Sequence, residues 1–211
     1  MRAVLFDVDG VLIHSLFHPD PARRRHWDQH LHDDLGVTRE ALAPFFGAGF
    51  ADIIEGRVSI LPALDNFLPT IGYRGSSLDF LDYWLTHDIH LNVQLLDVVR
   101  RLRGSGARLF IATNQEHVRA FHLWGAVGLR HYFDDMFYAA RLGVSKQQPE
   151  FYARVDSLIG RQDEPPLFFD DSAKAVAAAE AHGWESVHYT ELADCAEHPW
   201  VAARLQRRHP G

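Results

Sequence analysis

Residues 4–14 read Val-Leu-Phe-Asp-Val-Asp-Gly-Val-Leu-Ile-His, and this stretch limits the possible folds more than any other. Val4, Leu5 and Phe6 form an apolar run that stops at Asp7 and Asp9, with Val8 between them and Gly10 behind. A short apolar run closed by a turn reads as a buried strand of a parallel sheet. In open α/β sheets ligands bind outside the carboxyl ends of the strands, so Asp7 and Asp9 stand where a site belongs. Two residues apart, their carboxylates can converge on one centre. The plain alternative is a strand followed by an ordinary Asp-Gly turn, and the fragment alone does not separate the two readings.

The pattern changes after Ile13. From His14 to His87 there is no clean strand signal, and apolar residues such as Phe45, Phe46, Phe50, Ile53, Leu61, Leu64 and Leu68 recur at helical spacing. The segment Trp27–Gly36 reads as a helix closed by its glycine, Thr38 as the cap of a second, and Ser77 as the cap of Leu78–His87. From Asn92 helices and strands alternate. The helices start near Asn92, Glu116, Pro149 and Ala173, and the strands are Ala107–Gln115, Met136–Ala140, the run of residues 165–169 that leads into Asp170 and Asp171, and Glu185–Tyr189. Such alternation predicts a three-layer α/β core, a parallel sheet between helices. The expected division is a core of residues 1–13 and 88–211 and an all-helical insert of residues 14–87.

Composition bounds the partners. The chain has 211 residues, 47% of them hydrophobic, enough for one sizeable core carrying an insert. A formal net charge of −7 disfavours nucleic acid, and the one basic cluster, Arg204–His209, reads as a solvated or frayed end. No apolar run reaches membrane-spanning length, and no secretory signal precedes Asp7. Cys195 is the only cysteine, so a reducing compartment, the cytoplasm, is expected. Oligomeric state is not readable. Among 21 basic residues only Lys146 and Lys174 are lysines. A lysine kept against that preference suggests a place that needs a compact ammonium, although coincidence serves equally well for Lys174.

Three strand ends carry polar residues: Asp7 with Asp9, Thr113 with Asn114, and Asp170 with Asp171. Were these strands neighbours, four carboxylates would share one edge, where each raises the pKa of the others unless a cation is present. Carboxylate oxygens suit Mg²⁺, which binds few carboxylates, water and substrate phosphate. Thr113 and Asn114 add hydrogen-bond donors and Lys146 a positive charge. The set makes a place for a phosphoryl group with a carboxylate as nucleophile. Taken singly, Asp170 and Asp171 also read as a helix cap, and Thr113 as a turn hydroxyl.

Four ordered elements, Phe-Asp-Val-Asp-Gly-Val-Leu, Ala-Thr-Asn-Gln, the lysine of Gly-Val-Ser-Lys-Gln-Gln-Pro-Glu-Phe-Tyr, and Phe-Phe-Asp-Asp-Ser, resemble the haloacid dehalogenase-like hydrolase superfamily. The resemblance implies a Rossmann-like core of residues 1–13 and 88–211, and the all-helical insert of residues 14–87 falls where that superfamily carries a cap domain. The resemblance implies a Mg²⁺-dependent phosphatase of a small phosphorylated metabolite that works through an aspartyl-phosphate. Asp7 would be the nucleophile. Asp9 would be the general acid and then the base, its carbonyl also a metal ligand. Thr113 and Asn114 would hold phosphoryl oxygens, and Lys146 would neutralise charge. Asp171 would bind Mg²⁺ directly, and Asp170 through water or by tuning its neighbour.

Departures from the family pattern touch supporting positions. Ala175 stands where an Asn is common, and Gln147 and Gln148 follow the lysine where Pro and an acid are usual. Asp9 argues against dehalogenation, since the dehalogenases lack that second acid. A sugar-phosphate mutase would use the same residues, and a binding protein without turnover is a further alternative. A signalling receiver domain combines similar groups in a different chain order. His26, His30 and His32 invite a metal reading, but without an accompanying Glu they read as solvated cap residues.

Overall fold

A computed structural model describes residues 2–206 apart from 17, 19 and 48. Five parallel strands, β1 (Ala3–Phe6), β2 (Arg108–Thr113), β3 (Asp135–Tyr138), β4 (Leu167–Asp170) and β5 (Glu185–His188), form one sheet in the order β3-β2-β1-β4-β5. The strand ahead of Asp7 therefore lies at the centre. It pairs with β2 through Phe6 and Ile111 and with β4 through Phe6 and Phe169.

Between β1 and β2 every described helical or strand element is a helix: α1 (Leu31–Leu35), α2 (Arg39–Leu42), α3 (Phe50–Ile54), α4 (Ile60–Phe67), α5 (Ser77–His87) and α6 (Val93–Gly104), with short 3₁₀ turns. The core continues through α7 (His117–Gly125), α8 (Ala139–Leu142), α9 (Pro149–Ile159), α10 (Ala173–His182), α11 (Leu192–Ala196) and α12 (Pro199–Leu205). Side-chain alternation along β1 divides the core in two. Val4 and Phe6 pack with Leu95, Val99 and Leu123 on one face, and Ala3 and Leu5 pack with Phe151, Val155 and Ala179 on the other. Both faces of the sheet are thus covered, which accounts for the unbroken apolar strands. The insert has a hydrophobic cluster of its own, including Trp27, Leu31, Phe45, Leu64, Phe80 and Trp84, and Val118 of α7 packs against it. Where the chain leaves and re-enters the core, Ile13 pairs antiparallel with Leu91, and the His14 amide donates to the His90 carbonyl at 2.8 Å.

Local chemistry sets the element ends. The Asn92 side chain caps α6, accepting from the Leu95 amide, and Glu116 caps α7 with both carboxylate oxygens. Thr38 caps α2 as predicted. The cap of α5 is Ser76 rather than Ser77, because the reciprocal box closes with Asp79 three residues on. The Trp27–His30 stretch forms turns, and α1 begins only at Leu31. Ala139 and Ala140 belong to α8, not to β3. Of the basic cluster near the C-terminus, Arg207, Arg208 and His209 lie outside the described residues. Among the described residues no helix is long and apolar enough to cross a membrane.

Candidate functional site

Asp7 follows β1, Thr113 ends β2, and Asp170 ends β4, so parallel pairing brings three sequence-distant strand ends to one edge of the sheet. Lys146 reaches the same edge from the loop before α9. Its Nζ lies 2.6 Å from Asp7 Oδ2 and 2.7 Å from Asp170 Oδ2. All three are buried, Asp170 completely. The other oxygen of Asp7 accepts from the Val8 amide at 2.8 Å, and that of Asp170 from the Ser172 amide at 2.8 Å. Thr113 is also buried beside β1. Asn114 sits one layer out. Its Oδ1 accepts from the Lys146 amide at 2.9 Å and its Nδ2 donates to Gln147 Oε1 at 3.0 Å. Through these two bonds Asn114 holds the lysine loop.

Asp171 completes an acidic group. Single carboxylate oxygens of Asp7, Asp170 and Asp171 all lie within 4.8 Å of one another. Gly10 stands against this group with φ +80°, and a Cβ there would fall 2.0 Å from Asp171 Oδ2. Glycine is therefore required twice, for its backbone and for its missing side chain. Burial, with Asp170 and Asp171 adding to it and Lys146 opposing it, pushes Asp7 up to about 8. Burial and the Asp170 charge push Asp171 up to about 6. Burial also penalises the Lys146 ammonium, but Asp7 and Asp170 outweigh it and hold its pKa above the usual range. Carboxylates that ionise reluctantly for want of positive charge, in an all-oxygen donor set, fit a hard divalent cation such as Mg²⁺.

Asp9 is held differently. Arg119, on α7, grips both its oxygens, with Nη2 2.7 Å from Oδ1 and Nη1 3.0 Å from Oδ2, and Gln115 Nε2 donates to Oδ2 at 2.6 Å. Burial works to raise the Asp9 carboxyl, but Arg119 and Gln115 prevail and hold it below its ordinary range. Sequence reading missed Arg119, Gln115 and their neighbour Asp88.

It also missed Glu55, just beyond α3. Glu55 is buried and accepts from Ser145 Oγ at 2.6 Å and Gln148 Nε2 at 2.7 Å, on either side of Lys146 and its neighbour, while Arg57 pairs with it. Next to it Gly56, at φ +73°, brings the insert so close to α8 that a Cβ would lie 2.9 Å from the Ala140 carbonyl oxygen. The insert is thereby fastened to the loop that carries Lys146. Glu55→Ala strands the Ser145 and Gln148 donors and is expected to lower stability by about 1–3 kcal/mol. Urea unfolding checks this, and an unchanged midpoint would contradict it.

His26, His30 and His32 are exposed and belong to no candidate metal group among the described residues. A cavity of about 250 Å³ borders Gly10 and is lined on its polar side by His18, Arg25, Gln94 and Glu191.

A family model for haloacid dehalogenase-like hydrolases matches residues 1–183, and the chain belongs to that family. The sesquiterpene phosphatase astK of Aspergillus oryzae is 30% identical over 134 residues, a match spanning 60% of this chain and 65% of that protein, a little under two thirds of its length. The fructose-1-phosphate phosphatase YqaB of Escherichia coli is 25% identical over 87% of this chain and 94% of its own length. In fold, the chain is similar to the HAD family enzyme bt-2542 of Bacteroides thetaiotaomicron, solved with magnesium and inorganic phosphate. There the TM-score is 0.71 at 18% identity, covering 98% of this chain and 100% of that one.

Proposed function

We propose that this protein is a Mg²⁺-dependent phosphatase that hydrolyses a small phosphorylated metabolite through an aspartyl-phosphate on Asp7. The observation that carries the reading is the buried ammonium of Lys146 between Asp7 and Asp170, with Asp171 beside them and Thr113 on the adjoining strand. A strongly anionic edge with one fixed cation and room for another suits a phosphate ester. The phosphatase names of two relatives support the same reaction class. Residues 1–13 and 88–211 act as the core in this reading, and residues 14–87 as the cap.

The chemistry balances in two halves. A carboxylate oxygen of Asp7 attacks phosphorus in line, forming an acyl-phosphate bond while the ester P–O bond breaks. The bonding pair stays on the leaving oxygen, which takes a proton from Asp9; Arg119 keeps that carboxylate ionised in the free protein, and it takes up the proton when the anionic substrate binds beside it. Asp9 then removes a proton from water, whose oxygen attacks phosphorus as the Asp7–phosphorus bond breaks. Phosphate leaves and both carboxyl groups return to their first states. Dividing the reaction lowers each barrier. Thr113 and Lys146 hold the phosphoryl oxygens, and Asn114 keeps the Lys146 loop in place. Asp7, Asp171 and the Asp9 carbonyl would hold Mg²⁺, with Asp170 bound through water or tuning its neighbour. The ion would supply positive charge for the phosphoryl group.

The single cysteine, Cys195, is buried and its thiol is pushed up to about 12 by burial, which suits an unreactive thiol in a cytoplasmic protein. The reading is tested by phosphate release from a panel of sugar and polyol phosphates with and without Mg²⁺. Mg²⁺-dependent release from at least one ester is expected, and no release from any would overturn it.

Metal binding should also depend on pH. Asp7 and Asp171 have folded pKa values raised to about 8 and about 6, so without metal the native state holds protons that the unfolded chain has already lost. These two groups therefore lower the stability of the metal-free protein as pH rises from about 4 to 8. Mg²⁺ must displace those protons, so its affinity rises over the same interval. The thermal shift given by a fixed Mg²⁺ concentration is expected to be larger at pH 8 than at pH 6. Equal shifts would contradict this.

A further inference from the structure

We infer that Arg119 is the positioning residue for Asp9, and that Asp88 ties this clamp to the last helix of the insert. The inference rests on the reading of Asp9 as the group that protonates the leaving oxygen.

The geometry is specific. Three donors meet the two oxygens of Asp9: Arg119 Nη2 at 2.7 Å, Arg119 Nη1 at 3.0 Å and Gln115 Nε2 at 2.6 Å. A planar fork on both oxygens fixes the direction of a carboxylate as well as its place. The two partners differ sharply in exposure. The Arg119 side chain is 4% exposed, whereas that of Asp9 is 44% exposed, so a buried cation holds an acid that faces open space. The N–H at Arg119 Nε has no hydrogen-bond partner among the described residues, so the guanidinium is set for its two acids rather than for its own full satisfaction.

The second acid is Asp88. Its Oδ2 lies 2.8 Å from Arg119 Nη2, the same nitrogen that holds Asp9 Oδ1. Asp88 is the residue at which α5 ends, and its amide donates to the Trp84 carbonyl at 3.0 Å. Arg119 itself is anchored from the core side, because Glu116 accepts from the amides of Val118 and Arg119 at the start of α7. One guanidinium thus joins the rigid start of α7, the acid of the active edge and the end of the insert. A shift of α5 against α7 moves Asp88 and changes the grip on Asp9.

A positioning role through Asp9 is separable from a structural one by the leaving group. An aryl phosphate such as p-nitrophenyl phosphate leaves without a proton, whereas an alkyl phosphate such as ribose 5-phosphate or glycerol 1-phosphate needs one. Single-turnover cleavage by Arg119→Met is expected to fall about a hundredfold on the alkyl esters, the scale of general-acid catalysis, and only a few-fold on the aryl ester. Asp9→Asn should show the same selectivity more strongly. Arg119→Lys, which keeps the charge and loses the fork, carries the same comparison should the methionine variant not fold, and Asp88→Asn should show a weaker form of it. Equal losses on both ester types, or no loss on the alkyl esters, would overturn the inference. A wild-type protein that cleaves neither type would instead overturn the phosphatase reading beneath it.

Discussion

Asp7→Asn is expected to abolish turnover while leaving the protein folded. Removing a covalent nucleophile costs on the order of 10⁴-fold or more in kcat, because no other group replaces the bond it forms. The fold should tolerate the change. Asp7 is buried beside Asp170 and within reach of Asp171, and burial with those neighbours already drives its carboxyl up to about 8. An amide of the same size replaces a carboxyl that already resists ionisation and leaves Lys146 paired with Asp170 at 2.7 Å. The melting temperature in the absence of Mg²⁺ should hold or rise. Phosphate release together with a thermal melt checks both halves. Turnover within tenfold of wild type would remove Asp7 from the reaction, and an unfolded variant would show that its role is structural.

Lys146→Met should damage both stability and activity, the opposite pattern. The ammonium stands between two buried carboxylates, at 2.6 Å from Asp7 and 2.7 Å from Asp170. Removing one partner of a buried ionic cluster leaves uncompensated charge and costs about 3–5 kcal/mol. For a chain of this size that corresponds to a melting temperature lower by roughly 10 °C. Without the lysine, which opposes the rise in the Asp7 carboxyl, Asp7 holds its proton more strongly, so the loss should be smaller at pH 5 than at pH 8. Mg²⁺ should restore part of the stability by supplying positive charge to the same oxygens. It should not restore activity, because loss of a preorganised cation facing the phosphoryl group costs about 10²–10³-fold. Denaturant unfolding at the two pH values, with and without Mg²⁺, measures this. A variant as stable as wild type at pH 8 would contradict the assigned charge balance.

Much of the fold was legible because its signals are local. Val4–Phe6 and Leu167–Phe169 are apolar runs that end in acids, and such runs make buried parallel strands whether or not their neighbours are known. The structure brings the ends of those strands together, and Lys146, which stood out in an arginine-rich chain, joins them. What escaped was set by tertiary approach. Arg119 is one arginine among many on an amphipathic helix, and nothing in the sequence says that it reaches Asp9, 110 positions away. Nothing local marks Glu55, whose role comes only from Ser145 and Gln148, some 90 positions on. The bonds from Asn114 to Lys146 and Gln147 are likewise invisible in the sequence, because they join positions more than 30 apart. Helix ends erred for a simpler reason. Ser76 and Ser77 are both good caps, and only the reach of the Asp79 side chain chooses between them. Two short helices after β5, α11 and α12, gave no periodic signal long enough to read.

The proposed covalent intermediate can be observed directly. During turnover of the best ester with Mg²⁺, an acid quench followed by borohydride reduction converts an aspartyl-phosphate to homoserine, and peptide mapping locates it. Homoserine is expected at position 7 alone, only when substrate is present. Turnover that leaves Asp7 unmodified, or modification at Asp9, Asp170 or Asp171 instead, would contradict Asp7 as the residue that carries the phosphoryl group.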